Sequence, residues 1–152
     1  MATEFDHYAA KGNELLHRIE DGIELPKEQA FRILRAVLHA LRNLLPVQES
    51  MHLLAQLPMA LKSIYVESWK LTDTGNRSHR LSEFIDEIRR LDDGLAAFDL
   101  GDDESARRKV GVVLRVLGDY ISPGQLRDVI ACLPDEVKQF LRQNTQVQFS
   151  AT

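Results

Sequence analysis

The chain is poor in the residues that brace small folds or run common chemistry. A single cysteine, Cys132, rules out an internal disulfide. It sits in the apolar run Val129-Ile130-Ala131-Cys132-Leu133, which predicts a small buried side chain rather than an activated thiolate, since no electropositive neighbour is at hand. No apolar run is long enough to span a bilayer and none reads as a secretory leader, so the cytoplasm is the expected compartment. Neither a phosphate-cradling Gly-rich loop nor a hydrolase elbow is present. Positive charge is also lacking. A net charge of −4 leaves no general footprint for nucleic acid or an acidic membrane, and only a local basic surface can exist. With eight glycines, five prolines and 44% hydrophobic residues, the composition is that of a folded globular domain, not a disordered one.

What the chain does have is helical periodicity, strongest over residues 30–45. Ala30, Leu34, Val37, Leu38, Leu41 and Leu45 recur at three- and four-residue steps, and Phe31, Ile33, Ala40 and Leu44 add a second apolar stripe. The pattern returns over residues 106–121, where Ala106, Val110, Val113, Leu114, Leu117 and Ile121 are joined by Val112, Val116 and Tyr120. A helix apolar on two sides has neighbours on two sides, so both stretches are predicted as central helices. The valine-rich second stretch would also suit a buried strand, but its length and spacing favour a helix.

The other elements follow in order. A first helix is predicted over residues 5–19, with Phe5, Tyr8, Ala9, Leu15, Leu16 and Ile19 on one face, and a turn at Asp21-Gly22. Pro26 suits the first turn of the central helix, which Leu45-Pro46 ends. A helix over 47–56 precedes another that Leu57-Pro58 opens and that runs to about Trp69. The polar stretch 71–79 is a linker. Leu81, Phe84, Ile85, Ile88 and Leu91 form the next amphipathic helix, followed by an acidic loop over 91–103. Asp103 is placed to cap the second central helix. Ser122-Pro123-Gly124-Gln125 is a helix start, with Ser122 as cap and Gln125 placed to complete a capping box. Leu133-Pro134 begins the last helix, and a frayed tail follows from Asn144.

One constant offset in numbering relates the halves without a gap. It maps Glu28 to Glu104, Ala30 to Ala106, Val37 to Val113, Leu38 to Leu114 and Leu41 to Leu117, then Ala55 to Ala131, Leu57 to Leu133, Pro58 to Pro134 and Lys62 to Lys138. The expected fold is therefore all-α: two internally duplicated repeats of about four helices each, packed as one compact bundle through a pseudo-twofold core. Residues 1–152 form a single domain, with repeat one at 5–70, the linker at 71–79, repeat two at 80–143 and the tail at 144–152.

A family likeness rests on five segments: residues 4–14 (EFDHYAAKGNE), 37–42 (VLHALR), 55–59 (AQLPM), 65–69 (YVESW), and 121–124 (ISPG) with Leu133-Pro134. Together they resemble the bacterial domain-of-unknown-function family numbered 2267, over nearly the whole chain. The resemblance implies an all-α bacterial protein with an internal repeat, and it implies no reaction.

Candidate sites are few. Glu14/His17 and Glu49/His52 have the Glu-x-x-His spacing of carboxylate-bridged metal bundles, where such pairs project inward. Here they lie opposite the Leu15/Leu16/Ile19 and Val47/Met51/Leu54 faces, so no metal site is expected. Arg32, Arg35, His39 and Arg42 form a stripe on the first central helix, echoed by Arg108 and Arg115 on the second. The stripe is either an anion-binding surface or is balanced by the acidic stretch holding Asp86, Glu87, Asp92, Asp93, Asp99, Asp102, Asp103 and Glu104. Gly111 and Gly118, two turns apart, suggest the close approach of a helix of the same chain or of a second copy. Tyr65 and Trp69 either cover the edge of the core or face a partner. The acidic loop lacks the ligand order of an EF-hand. With no cluster of acid, base and nucleophile, the expectation is a non-enzymatic helical interaction module without cofactors. Its partner is another protein or a second copy, not nucleic acid or membrane. The alternative is a small-ligand or anion-binding protein, using a pocket between the repeats or the Arg32/Arg35/Arg42 stripe.

Overall fold

In the computed structural model, which describes residues 1–71, 80–92 and 94–145, the chain is all-α, with no strand among the described residues. The helices are α1 (Glu4–Ile23), α2 (Lys27–Leu44), α3 (Val47–Gln56), α4 (Met59–Val66), α5 (Leu81–Leu91), α6 (Ala96–Leu100), α7 (Asp103–Gly118), α8 (Pro123–Ala131) and α9 (Asp135–Thr145). Of the predicted linker, residues 72–79 lie outside the described residues, as do Asp93 and the tail from 146. Asn144 and Thr145, assigned to the tail from sequence, belong to α9.

Local chemistry sets most boundaries. Thr3 opens α1 with a reciprocal capping box to Asp6. The turn predicted at Asp21-Gly22 does not form. Instead α1 continues to Ile23 and stops at Glu24, whose left-handed conformation (φ 59°) lets its amide N–H reach the Glu20 carbonyl. Pro26, Pro46 and Pro58 each stand as the N-cap of the helix that follows. Asp102, not Asp103, caps α7 by accepting from the Ser105 amide, and Ser122 caps α8 as predicted. Gln125 completes no capping box, because its side chain donates across to Glu49 at 2.7 Å. Within the acidic loop the chain forms a further short helix, α6, that the periodicity does not reveal.

Helices α2 and α7 occupy the interior. From Ala36 to Leu45 every residue of the α2 region is buried, and along α7 only a narrow strip faces water. The packing crosses over between the halves. Helix α1 lies on α7 as well as on α2 and α4, and α5 lies on α2 as well as on α9 and α7. Helices α2 and α7 touch each other, and α3 touches α8. One apolar core results, with Leu15, Ile19, Ile33, Val37, Val110 and Val113 among its side chains without exposure. Burial of this kind stabilises by roughly 1.5–3 kcal/mol per large side chain.

Gly22 marks the tightest point of the crossing. A β-carbon there would come 2.5 Å from Val112 Cγ1. Gly22→Ala is therefore expected to lower stability by about 1–3 kcal/mol despite alanine's better helix propensity. In a Val112→Ala background the same substitution should become neutral or stabilising. Urea unfolding of the four chains measures this, and equal costs in both backgrounds would argue against the α1–α7 contact.

Candidate functional site

The arginine stripe of α2 is spent inside the chain. Helix α4 ends against it, leaving carbonyls at its C-terminus without helical partners. His39 Nε2–H donates to the Ile64 carbonyl at 2.7 Å, which fixes the tautomer. Arg42 donates through one terminal nitrogen to the carbonyls of Tyr65 and Glu67, both at 2.8 Å, and its guanidinium lies 5.8 Å from the centre of the Trp69 ring. Cations at a helix C-terminus also meet the favourable end of its dipole. This explains why α4 stops at Val66 rather than reaching Trp69 as the sequence suggests.

The other two members look toward carboxylates. Arg32 forms a bidentate pair with Asp99, at 2.7 and 2.8 Å, with Asp92 at 4.0 Å, and both aspartates are without exposure. Burial pushes the Asp99 carboxyl up, but the paired hydrogen bonds from the Arg32 guanidinium outweigh it and hold the group below its ordinary value. Lys109 adds a bond from Nζ to the Asp99 backbone carbonyl at 2.7 Å, and burial followed by the nearby Arg108 lowers its own pKa. Arg35 lies 3.7 Å from Glu67 and beside the Phe31 ring. The acidic stretch also serves Arg89, through Asp103, and Arg90, through Glu87. Balance by the acidic stretch thus describes Arg32, whereas His39 and Arg42 answer to backbone carbonyls.

Tyr65 is inside the core, with no exposed surface. Its hydroxyl pairs with Ser50 at 2.7 Å, and burial pushes the phenol up to about 12. Trp69 stands edge-on to it at 5.8 Å and is half-buried. Tyr65 thus belongs to the core, and Trp69 packs over it with part of its surface exposed. Gly111 and Gly118 face α9: a β-carbon at Gly111 would collide with Asn144, and one at Gly118 would touch Thr145 at 3.4 Å. The close approach is within the chain.

Two expectations need correction. Cys132 is exposed, not buried, because it lies on the outer turn after α8. Partial desolvation, then the carboxylates of Glu49 and Asp128, raise its pKa, so the thiol stays protonated at neutral pH. Helix α3 turns Ser50 and Leu53 inward and leaves Val47 and Met51 exposed, since the Ser50 hydroxyl is satisfied by Tyr65. Glu14 and His17 are exposed, and His52 lies 3.7 Å from a half-buried Glu49. No group of three or more His, Cys, Asp or Glu among the described residues is arranged to hold a metal ion.

Sequence reasoning missed a groove. Helices α1, α2 and α4 enclose an open space of about 480 Å³, with Ala9, Leu16, Phe31, Leu34, Ala60 and Ile64 among its walls and Lys27 and Glu67 at its rim. Its floor is where Gly12 lets α1 approach α4, since a β-carbon there would come 2.7 Å from that of Ala60. The signal was in the sequence: α1 carries Ala9 and Gly12 where α5, at the same offset that relates the halves, carries the buried Ile85 and Ile88. By contrast the cavity between the two halves, lined by residues such as Leu38, Leu114, Leu126 and Leu141, holds only about 20 Å³ and is apolar.

Fold and surface together define an all-α protein with an open apolar groove. No helix among the described residues is long and apolar enough to cross a membrane. Residues 12–140 match the sequence model of DUF2267, described as an uncharacterized conserved protein, and the chain belongs to that family. No curated protein matches it.

His39 gives the interior a pH dependence. Burial, then the nearby Arg42 and Arg35, lower its pKa against the raising effect of the Ile64 carbonyl. The unfolded chain therefore takes up a proton first, so stability is complete above the ordinary histidine value of about 6.5 and declines as the pH falls below it. His39→Gln is expected to flatten the stability profile between about pH 7 and 5, measured by urea unfolding. An unchanged slope would exclude His39 as its source.

Proposed function

We propose that the chain is a non-enzymatic helical interaction module of the bacterial cytoplasm, holding an apolar segment of a partner protein in the groove between α1, α2 and α4. The groove carries this reading: its walls are apolar, its rim is charged, and Phe31 is 37% exposed at its mouth. That is the anatomy of a protein interface, an apolar centre within a polar margin. The small-ligand or anion-binding alternative has thinner support, given about 20 Å³ between the halves and an arginine stripe already engaged.

The module is further proposed to consist of two repeats related by a pseudo-twofold axis. The offset that relates the halves carries Lys27, Val47 and Met59, the first residues of α2, α3 and α4, onto Asp103, Pro123 and Asp135, the first residues of α7, α8 and α9. The contact of α1 with α7 has its counterpart in that of α5 with α2. Glu49 and Gln125 are equivalent under the same offset and are hydrogen-bonded to each other, as mates beside a twofold axis would be.

The groove is tested with an apolar fluorescent dye, anilinonaphthalene sulfonate, on the folded chain, alongside light scattering across a wide concentration range. Dye binding by the wild type and its loss in Phe31→Glu, with stability changed by no more than about 1 kcal/mol, are expected. A mass that rises with concentration, and no longer does so in Phe31→Glu, would assign the groove to a second copy. Dye binding unaffected by Phe31→Glu would overturn the assignment.

A further inference from the structure

The outer strip of α7 carries Arg107, Arg108 and Arg115, all exposed, and none has an ion-pair partner among the described residues. The strip is bounded by Glu104 and Asp119. Asp119 is taken by Arg18 at 2.5 Å, and no ion pair joins Glu104 to these arginines among the described residues. On a chain of net charge −4 this is a local reversal of sign.

The first half shows what such an arginine does when a carboxylate is near. Arg32, the counterpart of Arg108 in the first half, is held bidentately by Asp99. The counterpart of Asp99 is Ile23, which is 1% exposed and apolar. Arg108 thus stands where Arg32 stands, without the counter-ion. Arg115 lies beside the last turn of α1, its guanidinium 3.7 Å from where a Gly22 β-carbon would be, and the carbonyl end of that helix favours a cation. Arg108 and Arg115 are two helical turns apart, or about 10.5 Å along the axis. Carboxylates at positions i and i+7 of a second helix match that separation.

We propose that this face of α7 docks an acidic helix of a partner protein. It is separate from the apolar groove, so the two readings fail independently. Bidentate arginine–carboxylate pairs give the contact direction, and the planar guanidinium fork loses less entropy per hydrogen bond than a flexible ammonium would.

The test uses the full chain and a designed alanine-based helical peptide with glutamates seven residues apart, followed by calorimetry or fluorescence anisotropy at low salt. Arg108→Ser/Arg115→Ser is expected to weaken binding by about tenfold. Arg90→Ser, which removes an exposed arginine elsewhere, and Phe31→Glu should leave it unchanged. Three results would overturn the proposal: no binding by the wild type, an equal loss in Arg90→Ser, or tighter binding of a DNA duplex than of the peptide, which would hand the strip to nucleic acid. All the altered residues except Phe31 are surface arginines, and circular dichroism of each variant verifies the fold.

Discussion

A helix buried on every side must satisfy its polar side chains from within, and α2 is such a helix from Ala36 onward. His39, Arg42 and Asn43 lie in that stretch. Leaving any of them without a partner would cost about 1–3 kcal/mol, and more for the charge. The carbonyls of Ile64, Tyr65 and Glu67 and the carboxylate of Glu87 meet that need. The same contacts stop α4 and turn the chain so that Trp69 closes over Tyr65. What reads in the sequence as a basic stripe is therefore an internal fastening.

Under the proposed duplication, the two halves solve the same packing problem with different residues. At the place of Arg42 the second half has Gly118, and α9 runs on to Thr145 beside it instead of being stopped by a guanidinium. At the places of Ile85 and Ile88 the first half has Ala9 and Gly12, which opens a groove. At the place of Asp99 it has Ile23, which leaves Arg108 exposed. Departures from likeness, more than likeness, give the surface its distinct regions: an apolar groove on one side and an uncompensated cationic strip on another.

Much of the helical plan was legible because it is written locally. Prolines at 46, 58 and 123 and the hydroxyl of Ser122 fix where helices begin, and three-and-four spacing identifies α2 and α7 as interior. The rest depends on contacts that periodicity does not encode. Helix α1 runs through Asp21-Gly22 because the glycine packs beneath Val112. Ser50 is an inward residue because a buried tyrosine hydroxyl needs a partner. Asp99 looks like part of a solvated acidic loop, yet it is fully buried because Arg32, far away in sequence, reaches it. Cys132 has apolar neighbours in sequence, but it and Ala131 face outward while Val129, Ile130 and Leu133 are buried. The groove, too, is an absence of side chains, visible only once α1 is laid over α5.

The reciprocal crossing of α1 onto α7 and α5 onto α2 makes each half part of the other's core. Trp69 is the single tryptophan and lies in the first half, so its fluorescence follows that half while circular dichroism follows the whole chain. The most direct measurement is urea unfolding recorded by both signals on one sample. Halves that share a core should give coincident transitions with a common midpoint. A Trp69 transition at its own midpoint, separated from the loss of helix, would mean that the halves stand independently and would contradict the crossing.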